Sequence, residues 1–79
     1  MSRKIKLIWD FRGPAAEQTA KHHKIHLLEY AQSENLDLQI ADIEKLNDVH
    51  SIAYLVVTEQ KMKTVRDALK PHRGQLYEE

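Results

Sequence analysis

The sequence predicts an α+β fold: a four-stranded antiparallel sheet with two helices on one face, in the order strand, helix, strand, strand, helix, strand. Three observations predict it. Residues 13–36, GPAAEQTAKHHKIHLLEYAQSENL, read as one long helix carrying three histidines in five residues. Residues 4–11 and 51–57 are apolar on both faces, or nearly so, as strands inside a sheet are. The two helical stretches each connect strands that can lie parallel, and right-handed crossovers then put both helices on the same side.

Taken in order, residues 4–11 (KIKLIWDF) place Ile5, Leu7, Trp9 and Phe11 on one face and Lys4, Lys6, Ile8 and Asp10 on the other. A strand apolar on one side and partly so on the other is central. Arg12-Gly13-Pro14 ends it, and proline suits a first helical turn because its missing N–H is not needed there. Glu17 adds negative charge near the positive end of the helix dipole. At 100° per residue, Ala16, Ala20, His23, Leu27 and Ala31 form one stripe, whose small alanines let the helix approach a sheet closely. Asn35 is the expected stop.

Residues 36–43 (LDLQIADI) put Leu36, Leu38 and Ile40 on one face, the pattern of an edge strand buried on one side only. Residues 44–48 supply a turn, with Asn47-Asp48 its favoured pair. Residues 51–57 (SIAYLVV) give the second central strand. Thr58 is the expected N-cap of the second helix and Glu59 suits its first turn. Met62, Val65 and Leu69 make its core stripe, Lys70-Pro71 ends it, and residues 75–78 form a short polar last strand. This is the ferredoxin-like, or split βαβ, plait: its first and third strands are central, and here those two are the apolar ones.

Composition narrows the function classes. The chain has 79 residues, read as a single domain over 1–79, with no cysteine, which excludes disulfides, thiolate catalysis and cysteine-rich metal sites. Twelve basic residues balance twelve acidic ones, which argues against an electrostatic nucleic-acid partner. The basic-then-apolar N-terminus is too short for a signal peptide, and no run reaches membrane-spanning length; a cytoplasmic protein is expected. So small a chain buries a modest share of its surface, and self-association is the expected extra source of burial. The sheet face without helices carries Ile8 or the Trp9–Phe11 pair with half of the third strand, and an apolar patch there marks an association surface. A homodimer through this face or an edge strand is expected.

Candidate chemistry gathers on the first helix. His22 and His26 lie one turn apart, about 40° around the axis, with Glu29 on the same flank, so His22, His26 and Glu29 form a candidate divalent-metal set; ordinary solvated side chains are the competing account. The HExxH pattern is absent, and Lys21 and Lys24 oppose a cation. His23 sits on the stripe facing the sheet: either a hydrogen-bonded histidine at the core edge or a general base in a pocket between helix and sheet. Asp10, at the end of the first strand, is its candidate partner, with His26 as an alternative base. Arg12, Gly13 and Tyr54 are candidate ligand contacts, and Tyr30 lies within the same reach. His50 precedes the third strand, and the stretch PHRG (residues 71–74) reads as a solvated loop with some capacity for an anion. No phosphate loop, nucleophile elbow or dinucleotide motif is present.

The topology resembles the α/β plait over nearly the whole chain. RNA-recognition motifs resemble it too, but their glycine-and-aromatic signature is absent here. Gly13 is similar in place to the strand–helix glycine of ACT-type regulatory domains, and HKIHLLEY (residues 23–30) is similar to the first helix of YciI-like dimeric α/β-barrel proteins. The latter likeness implies His23 or His26 acting with an acid such as Asp10. Three functions follow as expectations: a non-catalytic homodimeric binding or interaction protein with a small-molecule or protein partner, a small dimeric enzyme with a His–Asp pair, and a divalent-metal binder without other cofactor.

Overall fold

In the computed structural model, which describes residues 3–77, the elements are β1 (Lys4–Arg12), α1 (Ala16–Ser33), β2 (Ile40–Asn47), β3 (His50–Thr58), α2 (Glu59–Leu69) and β4 (Arg73–Leu76). The strands form one antiparallel sheet in the order β2-β3-β1-β4. The two strands apolar on both sides are therefore the central ones, and the architecture is a ferredoxin-like plait. Among the described residues no helix is long and apolar enough to cross a membrane.

Both helices cover the face that carries Leu7 and Trp9 of β1 and Ala53, Leu55 and Val57 of β3. From α1 come Ala20, Leu27 and Ala31, and from α2 Val65, with Met62 and Leu69 at the margin. Ala20 and Ala31 are fully buried; having only a methyl group to place, they let α1 lie close to the sheet. Leu27→Ala would open a cavity in this layer at about 2–5 kcal/mol. The indole Nε1–H of Trp9 donates to the Leu69 carbonyl at 3.1 Å, satisfying a backbone group that the end of α2 leaves without a helical partner.

The other face is apolar without being exposed. Ile8, Ile52 and Val56 are 1 %, 3 % and 0 % exposed, although no helix lies over them. The register explains it. Ile8 stands opposite Tyr54 and Arg73, Ile52 opposite Asp10 and Glu44, and Val56 opposite Lys6 and Ile40. Mostly long or polar neighbours therefore surround each apolar side chain and fold over it, Lys6 lying 4.2 Å from the centre of the Tyr54 ring. The expected bare apolar patch is thus roofed by its own neighbours.

Several element bounds differ from expectation. α1 starts at Ala16, with Pro14 and Ala15 ahead of it and the Ala16 N–H bonded to the Gly13 carbonyl. It ends in a Schellman motif: Asn35 is left-handed at φ 50, the Asn35 N–H reaches Gln32 O, and the Leu36 N–H reaches Ala31 O. That motif consumes Leu36, which is buried against α1, so β2 begins only at Ile40. Its core-facing residues are Ala41 and Ile43, not Leu36, Leu38 and Ile40. The β2–β3 turn is tighter than expected, two residues long between Asn47 and His50, with the Asn47 side chain accepting from the Val49 N–H. Thr58 stands at the N-cap of α2, but its hydroxyl makes no capping bond and is buried with no hydrogen-bond partner among the described residues. β4 begins at Arg73 rather than Gln75; Glu78 lies outside the described residues.

Candidate functional site

Among the described residues, Asp10 is the centre of a dense polar cluster. It lies on the helix-free face of β1, and the strands on either side supply its partners. β3 starts at His50, whose Nε2 is 2.8 Å from Asp10 Oδ1. β4 starts at Arg73, whose Nε donates to Oδ2 at 3.0 Å and whose Nη2 donates to Oδ1 at 3.2 Å. The backbone N–H of Asp10 donates to His72 Nδ1 at 2.8 Å. Arg12, two residues on, pairs across the ladder with His50 on the same face.

The bidentate Arg73 guanidinium is the main cause that holds the Asp10 carboxyl down to about 2, aided by His50 and opposed by partial burial. The same contact raises Arg73 above its ordinary value. A carboxylate with both oxygens taken and so low an affinity for protons does not act as a general base near neutrality. It orients His50 and Arg73.

His23 is elsewhere. It packs among the aromatic rings on the helix side, 5.0 Å from Trp9 and 5.4 Å from Phe11 between ring centres. Asp10 lies between those two residues in sequence and therefore points to the opposite face. The expected His23–Asp10 pair is not formed. His23 Nε2 is buried with no hydrogen-bond partner among the described residues, and desolvation, with repulsion from His26 and His72, lowers its affinity for protons.

His22, His26 and Glu29 do meet, on the exposed side of α1. His26 Nε2 is 3.1 Å from His22 Nε2, and Glu29 Oε1 is 3.4 Å from the other nitrogen of His26, Nδ1. Glu29 thus approaches from behind His26. Among the described residues no group of three His, Asp or Glu side chains converges so as to hold a metal ion.

The candidate ligand contacts are dispersed. Gly13 has φ +113, a conformation that favours glycine, and its N–H bonds the Val49 carbonyl at 2.8 Å; its role is to tie the end of β1 to the β2–β3 turn. Tyr54 is on the helix-free face beside Lys6, raised in pKa by burial and then by Asp42, and so is remote from His23. Tyr30 packs at the margin of the helix-side core. A cavity of about 420 Å³ lies between α2 and β4, lined by Ile5, Leu7, Met62, Arg66, Arg73 and Leu76 among others; of the Asp10 cluster it touches only Arg73 and His72.

Sequence reasoning missed His50, His72 and Arg73 as partners of Asp10. Strand parity carries a partial signal: His50 pairs with Arg12, which shares a face with Asp10, so polar residues at the strand starts on that face are the ones to test. Comparisons with protein-family models, with curated proteins and with solved structures found no match.

Proposed function

We propose that the chain is a small non-catalytic interaction protein that works as a homodimer joined through the helix-free face of its sheet. The observation that carries this reading is the division of charge across that face. β1 and β4 bring Lys4, Lys6, Arg12 and Arg73 against the single acid Asp10, while β2 brings Glu44 and Asp42, the latter bridged to Lys24 of α1. A two-fold axis running parallel to the strands lays the β2 edge of one copy over the β4 edge of the other, so acid meets base. An axis across the strands would set β2 on β2 and repel. Charge therefore selects one of the two face-to-face arrangements.

Size sets the strength. Strands of nine, eight, nine and four residues, about 4.8 Å apart and about 3.3 Å per residue, cover roughly 480 Å² per copy. That is the low end for a specific interface, and the expected dimer is one that dissociates on dilution. The saturated state of Asp10 favours binding over catalysis.

Light scattering across a dilution series tests the reading. A dimer mass at low salt is expected, shifting to monomer in about 1 M salt, where the Debye length is about 3 Å. Glu44→Lys, an exposed change on β2, is expected to weaken the dimer. A monomer at every concentration in low salt would sink the proposal.

A further inference from the structure

We infer that His22 and His26 form a two-nitrogen chelating site for a borderline divalent cation such as Zn²⁺ or Cu²⁺, with Glu29 as the outer-shell carboxylate rather than a ligand. The site stands on the exposed side of α1, away from the sheet face of the proposed dimer, and does not rest on that reading.

The geometry supplies three arguments. First, imidazole nitrogen binds zinc at about 2.0–2.1 Å, so two nitrogens on one ion lie about 2.9 Å apart at a right angle and about 3.4 Å apart at the tetrahedral angle. The observed Nε2–Nε2 separation is 3.1 Å, inside that span with no change of backbone. Second, Glu29 Oε1 lies 3.4 Å from His26 Nδ1. A carboxylate at that distance favours the ring proton on Nδ1 electrostatically, leaving the Nε2 lone pair facing His22, and a small closing movement would bring it into the position from which outer-shell carboxylates orient metal-binding histidines. Third, the ammonium of Lys24 is drawn to Asp42 at 3.4 Å, so that charge is held away from the pair.

Without the ion, one Nε2–H donates to the other Nε2. Binding displaces that hydrogen bond: His22 moves its proton from Nε2 to Nδ1, and both Nε2 lone pairs face the metal. No covalent bond to carbon changes and no electron is transferred. With only two protein ligands, water fills the remaining positions. Imidazole pairs select ions in the order that favours Cu²⁺ over Zn²⁺.

The test is thermal unfolding of the full chain with added ZnCl₂ or CuCl₂, alongside the copper absorption band that reports nitrogen ligation. Each ion is expected to raise the midpoint by several degrees, copper at lower concentration than zinc. The shift should vanish in His22→Ala and in His26→Ala and persist in His50→Ala. Glu29→Gln should weaken binding by about tenfold. All of these side chains on α1 are exposed, and circular dichroism confirms that each variant keeps its helix. No shift with either ion, or an equal shift in the His22→Ala and His26→Ala chains, would overturn the site.

Discussion

The backbone N–H of Asp10 donates to His72 Nδ1 at 2.8 Å, just beyond the point where β4 stops pairing with β1. The last pair is Ile8 with Arg73, and the His72 N–H reaches the Ile8 carbonyl at 3.0 Å. A side-chain ring thus continues the ladder where the four-residue β4 runs out. Accepting at Nδ1 requires that this nitrogen carry no proton, which places the ring proton on Nε2.

His72→Ala removes that acceptor. The Asp10 amide is expected to exchange with solvent faster, and the fold to lose about 0.5–1.5 kcal/mol in denaturant titrations. An unchanged exchange rate at Asp10 would show that the ring is not what protects it.

The Asp10 carboxyl, lowered to about 2 chiefly by Arg73, couples the cluster to acid stability. In the unfolded chain the same group titrates near 3.8. Its contribution is therefore complete above that value and is lost as pH falls through about 2. The shift corresponds to at most about 2.5 kcal/mol; Arg73 is 49 % exposed, and solvent screening leaves a contribution on the order of 1 kcal/mol. Asp10→Asn is expected to be less stable than the native chain by that amount near neutrality, with the gap closing in acid. A gap that stays constant into strong acid would mean that charge is not what the carboxylate contributes.

Burial holds His23 below the ordinary imidazole value of 6.5. The unfolded chain takes up this proton more readily, so stability is full above that value and declines as pH drops below it. His23→Leu fills the slot beside Trp9 and Phe11 and removes the unpartnered Nε2. At neutral pH it is expected to be at least as stable, by up to about 1 kcal/mol, with a flatter fall in mildly acidic solution. Destabilisation by more than about 1 kcal/mol at neutral pH would indicate a hydrogen bond to this ring.

The parts of the fold legible in the sequence are those in which one pattern dominates. The stripe Ala16, Ala20, His23, Leu27, Ala31 faces the sheet because helical periodicity has no rival over those residues. The second strand was legible as an edge strand, but not its bounds, because Leu36, Leu38 and Ile40 alternate as a strand does, while the Asn35 cap claims Leu36 for the helix. The Asp10 cluster was hidden for another reason. Its partners His50 and Arg73 come from two other strands, and local spacing says nothing about ladder register. His23 was correctly placed facing the sheet, yet strand parity sets Asp10 on the far side.

The pairings of β1 run from Arg12 with His50 to Ile5 with Leu76, so every backbone partner of the first strand belongs to the second half of the chain. The β2–β3 hairpin closes over a two-residue turn and forms locally, within microseconds. Strand β1 must wait for long loops to close. While the chain is being synthesised, its run of Ile5, Leu7, Ile8 and Trp9 has emerged and both its edges are unpaired. The interval between the emergence of Trp9 and that of Thr58, the end of β3, is therefore when the nascent chain is most exposed to aggregation.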